Sequence, residues 1–351
     1  MKRVIVQVLM LGAAAVLGSC SGDITTDVPE AAAPAAIDFR AALATRATET
    51  TTATLTDFTV TALDASSANF FTDLVFTKSG QYFTSTPSYY WPSDGSQLSF
   101  YAWAPAASAL NARVTINGTT KQLADYVPAG DISQQQDLIT ATATGSKANE
   151  TTGVALTFSH RLAQIVVKAR NGNSAYVYKV CGVKIGQVKS KGTYDFATTV
   201  WNLGTETADY SVEYDASPRL LTATAATLMA VDGDNAMLLP QQLVAWDPTG
   251  NPTNSNKGAY LAVKINLTTQ AGAQVYPTGA AGSYGWAAVP VNTLWEAGKR
   301  YTYTLDFSNG AGRVDPSDPT HPGDPILNSP IKFTVTVDEW QEATPSPGIT
   351  L

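Results

Sequence analysis

Short segments in which apolar and polar residues alternate recur along the chain, and their period is two rather than 3.6. Leu55–Leu63 (LTDFTVTAL) places Phe58, Val60 and Ala62 on one face. Gln164–Ala169 (QIVVKA), Tyr260–Leu267 (YLAVKINL) and Arg300–Phe307 (RYTYTLDF) alternate in the same way, the last with Tyr301, Tyr303, Leu305 and Phe307 inward. Leu98–Trp103 (LSFYAW) is apolar on both faces, which predicts a strand covered on both sides. Ser93-Asp94-Gly95, Asn117-Gly118, Asn171-Gly172 and Asp232-Gly233 punctuate these runs as turns. The pattern predicts an all-β protein of sandwich type. Short helices are expected at most in Pro105–Asn111 and Ser133–Asp137.

The polar stretch Gly145–Gly153 (GSKANETTG) is the expected domain boundary. It divides the chain into an N-terminal β-sandwich domain (49–148) and a C-terminal one (149–351), preceded by a leader (1–19) and a tether (20–48). Ser308–Pro330 is too long and too rich in proline for a hairpin loop. Its Asp315, Asp318 and Asp324 match no calcium-loop spacing, so a solvated linker is expected there.

The first residues change the picture of where the protein resides. Lys2 and Arg3 precede an apolar run, Val4–Val16, too short to span a bilayer, and Leu17-Gly18-Ser19-Cys20 resembles the bacterial lipobox. Cys20 is therefore the expected lipid-bearing residue. That leaves Cys181 alone, so no internal disulfide is available, and core size has to provide stability. With Lys2 and Arg3 removed from the 22 basic residues, 20 face 29 acidic ones, a balance of −9. No basic stripe is present, and nucleic acid is not an expected partner.

Catalytic patterns are absent: there is no G-x-S-x-G, Walker-type loop or H-E-x-x-H, and no cofactor is expected. Zinc has too few ligands, with only His160, His321 and one thiol. His160 reads as a structural histidine beside apolar residues, and Cys181 as a buried small residue. Tyr89-Tyr90-Trp91 and Phe100-Tyr101-Ala102-Trp103 are expected as core and cross-strand rings, the alternative being a sugar-binding face.

A lipobox and Thr-rich tether are followed by YYWP, LSFYAWAP, LTFSHRLAQIVVKAR, MLLPQQL, WEAGKRYTYTLDF and IKFTVTVDEW. In this order the series resembles the fimbrillin family of Bacteroidales, lipoprotein subunits of type V pili. The resemblance implies two β-sandwich domains of transthyretin-like (Greek-key) topology and export to the outer membrane as a lipoprotein of the cell surface and fimbrium. It also implies a trypsin-like surface protease that removes an N-terminal strand, and a strand from another pilus subunit that fills the groove. Structural or adhesive work is implied, not enzymatic work, with a ligand on a host or bacterial surface among the partners.

Three features bear on that exchange. Ile37, Phe39, Ala41 and Leu43 share one face of an N-terminal strand pattern (AIDFRAALATR). Arg40 and Arg46 are the only basic residues between Cys20 and Lys78, and Arg46 is the better cleavage site, lying after the alternation and before ETTTAT. Ile331, Phe333, Val335 and Val337 alternate with polar residues near the C-terminus, either as a donor strand or as a strand closing their own sheet. The competing reading is a surface glycan-binding lipoprotein that stays acylated and monomeric.

Overall fold

The computed structural model describes residues 36–43, 54–229, 235–248 and 258–339. The first half of the chain supplies β1 (Phe39–Leu43), β2 (Asp57–Leu63), β3 (Asn69–Ser79), β4 (Tyr82–Ser85) and β5 (Leu98–Ala104). A one-turn helix, Ser108–Asn111, leads to β6 (Val114–Ile116) and β7 (Lys121–Tyr126), and β8 (Ile139–Gly145) and β9 (Val154–His160) follow. A 3₁₀ turn at Ile132–Gln134 stands in the other predicted helical stretch.

Seven of these strands close into a barrel in the order β1-β4-β3-β2-β5-β8-β9. Its interior is lined by the alternate residues of each strand, with Phe39, Phe58, Phe76, Phe83, Phe100 and Phe158 at its centre. β5 shows why LSFYAW is apolar on both faces. Phe100 and Ala102 point into the barrel, while Trp103 packs with Leu63, Tyr194 and Phe196 in a second core outside it.

β10 (Ala163–Arg170), β11 (Tyr176–Lys189), β12 (Gly192–Asp195), β13 (Val200–Leu203) and β14 (Thr207–Glu213) begin the second half. β15 (Tyr260–Thr269), β16 (Gly285–Pro290), β17 (Lys299–Asp306), β18 (Arg313–Val314) and β19 (Lys332–Glu339) complete it, with several two- and three-residue ladders between. One sheet contains β10-β17-β19 and the other runs β14-β11-β15-β16-β18. They enclose the largest core, where Ile165, Val167, Tyr301, Tyr303 and Leu305 of the first meet Val183, Ile185, Val263, Ile265 and Ala287 of the second. The protein is thus all-β and built of packed sheets, as its alternating segments predict.

Two stretches behave differently from their composition. Gly145–Gly153 joins β8 to β9 inside the barrel, turning through a 3₁₀ segment whose capping box is made by Ser146 and Asn149. Sheet pairing therefore continues past position 148 to His160, and β7 of the first half pairs with β12 of the second. Ser308–Pro330 is not a solvated linker: Ala311, Asp315 and Ile326 are buried, and β18 pairs with β16 through Ala287↔Val314 and Ala288↔Arg313. Asp315 is held from β11 by Lys184, whose Nζ lies 2.8 Å from Oδ2. Asp318 closes its own turn by accepting from the N–H groups of Thr320 and His321.

Candidate assembly site

The site is the seat of β1 in the barrel wall. β1 runs parallel to β9, from Phe39↔Val154 to Leu43↔Phe158, and meets β4 antiparallel at one pair, Phe39↔Phe83. Before the strand, the Tyr89 carbonyl accepts from the Ile37 N–H at 2.8 Å, and the Asp38 carbonyl accepts from Val154 at 2.9 Å. The strand is thus laddered over its whole length to β9 and at one pair to β4, and its inward side chains add to that attachment.

Those side chains follow the predicted alternation. Ile37 and Phe39 are 1% and 0% exposed and Ala41 is half-buried, while Arg40 and Ala42 face out. The Phe39 ring stands edge-on to Phe76 at 4.7 Å and Phe100 at 5.0 Å, with Phe58 at 6.1 Å. Enclosing a phenyl ring in this way contributes about 1.5–3 kcal/mol from apolar burial, with edge-to-face contacts adding to it. Asp38 works in the opposite direction: partial burial pushes its carboxyl above the ordinary aspartate value.

The two arginines are now distinguishable. Arg40 lies within the β1–β9 ladder opposite Ala155, and its guanidinium donates to the Tyr82 hydroxyl at 3.1 Å and covers that ring at 5.2 Å. A protease needs an extended, unpaired segment, which Arg40 does not offer. Arg46 falls outside the described residues, as do Cys20 and the side chain of Leu43. Lys78 sits in β3, where its main chain is paired to Phe83 and donates to the Thr56 carbonyl.

At the other end of the chain, β19 forms an edge of its own sheet. Its eight residues pair antiparallel with β17, from Asp306↔Lys332 to Lys299↔Glu339, and Lys299 and Glu339 form an ion pair. Ile331 is buried, Phe333 and Val335 are half-buried against the core, and Val337 is 51% exposed. The Phe333 ring lies 6.2 Å from that of Tyr303. Among the described residues no strand pairs with the outer edge of β19.

The residues weighed for catalysis have structural surroundings. His160 is buried with its Nδ1 2.8 Å from Asp137 Oδ2. Cys181 is buried, and burial together with a hydrogen bond to Asp215 pushes its thiol up to about 12. Of the two aromatic runs, Trp91, Phe100 and Trp103 are buried, Tyr89 and Tyr101 are half-buried, and only Tyr90 is exposed. Sequence reasoning placed the face of β1 but not its seat. The presence of phenylalanine in each of the apolar segments DFTVTAL, FTDLVF, LSFYAW and VALTF was the available signal.

A model of the fimbrillin-like family matches residues 45–340, from just after β1 to just beyond β19. The chain belongs to the fimbrillin-like family. Among curated relatives, this fimbrillin-like chain is 25% identical to fimbrium subunit Fim1C of Phocaeicola vulgatus, over 88% of this chain and 94% of that one. Its fold is similar to the crystal structure of a fimbrial protein from Bacteroides vulgatus, with a TM-score of 0.58 and 15% identity, covering 87% of this chain and 99% of that one. The family match spans the barrel strands from β2 onward and leaves β1 outside it.

Proposed function

We propose that the protein is a fimbrial subunit in which β1 is a provisional occupant of the barrel, held until a strand from another subunit takes its place. The observation that carries this reading is the attachment of β1. It is a five-residue strand with a fully buried ring, paired at one position on one side, and Arg46 lies between it and β2. In this reading Cys20 carries the lipid that anchors the precursor to the outer membrane. A trypsin-like surface protease cuts after Arg46, freeing β1 together with its anchor. The opened barrel then receives an extended segment by β-augmentation, which joins subunits through main-chain bonds and buried side chains. Ile331, Phe333, Val335 and Val337 form the donor face in this scheme, and a surface ligand of host or bacterial origin is the adhesive partner.

Limited trypsin digestion tests the first step. N-terminal sequencing should find a stable core that begins at Ala47. A core that starts beyond Lys78, or an intact N-terminus after exhaustive digestion, contradicts it. Metabolic labelling with an alkyne fatty acid should mark the wild type and not Cys20→Ala; equal labelling removes the anchor from the scheme.

A further inference from the structure

Between the end of β5 and the start of β8, a cavity of about 260 Å³ is walled by the one-turn helix Ser108–Asn111, the end of β7 and the segment that carries the 3₁₀ turn. None of its lining residues belongs to β1, β4 or β9. Its walls are braced from behind. Asn111 Oδ1 accepts from Trp103 Nε1 at 2.8 Å, and Gln135 donates to the Ala129 carbonyl at 2.8 Å while accepting from the Met237 N–H at 2.6 Å. Asp137 lines the cavity, and its side chain is 1% exposed. Its Oδ2 lies 2.8 Å from His160 Nδ1, whereas Oδ1 has no hydrogen-bond partner among the described residues. A buried carboxylate oxygen without a donor is costly, and such atoms are ordinarily served by water or by a ligand. Tyr126 lines the same cavity. Burial first, then the charge of Asp137 and the neighbouring Tyr210, push its phenol above the ordinary value, and the Tyr210 hydroxyl is likewise buried without a partner among the described residues.

We infer that this cavity is a binding site for a neutral sugar residue, with Asp137 Oδ1 accepting from one of its hydroxyls. The site gives a chemical class to the surface ligand of the adhesive role proposed above, and it rests on that role and not on strand exchange. The choice of a neutral hydroxyl over a cation follows from the groups already present. Oδ2 is bonded to His160, and Arg113 stands in the cavity wall, donating to the Asp125 carbonyl. Oδ1 therefore lacks a hydrogen bond and not a counter-charge. A sugar also suits the mixture of surfaces, since its C–H face can lie on Leu110 and Val127 while its hydroxyls meet the carboxylate and the amides of Gln134 and Gln136. The volume sets the size. About 260 Å³ is at the lower edge of ligand pockets, which span roughly 300–1,000 Å³, and it takes one ring rather than a chain. Val127, 50% exposed, and the exposed Ala109 stand at the mouth, so the ring enters as the terminal residue of a longer glycan. No ring of Tyr89-Tyr90-Trp91 or Phe100-Tyr101-Ala102-Trp103 lines the cavity, so it is distinct from the sugar face those runs would have made.

The test uses full-length, uncleaved protein and saturation-transfer difference NMR. The probes are the methyl α- and β-glycosides of glucose, galactose, mannose, fucose and N-acetylglucosamine, with Nα-acetyl-lysine amide as the cationic comparison. At least one glycoside should show transfer, and the lysine amide should not. Asp137→Asn should keep the His160 bond through its carbonyl, place an NH₂ where Oδ1 was, and weaken that glycoside about tenfold or more. Ala109→Phe, at an exposed position of the wall, should fill the cavity and abolish transfer while the thermal unfolding midpoint stays close to that of the wild type. His321→Ala, in the wall of a different cavity, should leave binding unchanged. If no glycoside shows transfer, water alone serves Oδ1 and the sugar assignment falls. A glycoside signal that survives Ala109→Phe places binding elsewhere and overturns it, as does a stronger signal from the lysine amide. Uncleaved protein retains β1 throughout, so the sugar site and the assembly scheme stand or fall separately.

Discussion

β1 and β19 share an alternating apolar pattern and differ in how far their side chains are enclosed. β1 has a fully buried Phe39, five pairs to β9 and a single pair to β4, so its side chains are enclosed while its ladder is complete on one side only. β19 has an eight-residue ladder to β17, an ion pair at its end and a half-exposed apolar face. The first is strongly seated but separable from its chain by one cut, and the second is covalently secure but incompletely buried. An edge strand with exposed apolar residues is ordinarily a hazard, since it invites pairing with another chain. In the proposed scheme the same property serves assembly, provided that no open groove exists before cleavage. β1 supplies that condition by closing the barrel.

Substitutions at equivalent positions probe this contrast, and the largest effect is expected at Phe39. Phe39→Ala should destabilise the precursor by about 3–5 kcal/mol, because it empties an enclosed aromatic site. Phe333→Ala should cost about 1–2 kcal/mol, since its ring is only half-buried where it stands. Urea denaturation of the two precursors measures the difference, and equal costs would erase the distinction between the strands. Next comes Val335→Asp, expected to lower precursor stability by about 1–2 kcal/mol at a half-exposed edge. The same change should block exchange, where a buried and unpaired carboxylate costs about 3–5 kcal/mol. Cleaved Val335→Asp protein should therefore elute as a folded monomer; misfolding before cleavage would place Val335 in an indispensable core.

Smaller effects sharpen the account of β1. Arg40→Ala removes the contact with Tyr82, worth about 0.5–1 kcal/mol at an exposed site, and should leave the trypsin product starting at Ala47 unchanged. Asp38 sets the pH dependence. Its carboxyl is raised in the seated strand, so its favourable contribution is complete below the ordinary aspartate value of 3.8 and is lost as pH rises through the raised value. At neutral pH, Asp38→Asn should slow release of cleaved β1, and the difference between wild type and mutant should shrink on acidification. Faster release of the mutant would reverse the sign assigned to Asp38.

The local part of this architecture was legible in the chain. Alternation in LTDFTVTAL, QIVVKA, YLAVKINL and RYTYTLDF marks β2, β10, β15 and β17, and the side chains predicted inward are buried. Period two states which residues share a face, and that is a local property. It does not state which strand lies alongside, so the parallel closure of β1 on β9 could not be read from either segment. Gly145–Gly153 has linker composition because a tight turn and a linker use the same residues. The acidic strap 308–330 misled for a related reason: Asp315 is paired by Lys184 from a strand 131 residues away, which no local pattern records. The rings around Phe39 likewise come from β2, β3 and β5, three strands far apart in sequence.

Size-exclusion chromatography of wild-type protein before and after trypsin, with mass spectrometry of the eluted species, tests the central claim most directly. The account predicts a monomeric precursor that converts, once cut after Arg46, to oligomers whose subunits begin at Ala47 and lack the Phe39-bearing fragment. A fully cleaved protein that stays monomeric with that fragment still bound would contradict it.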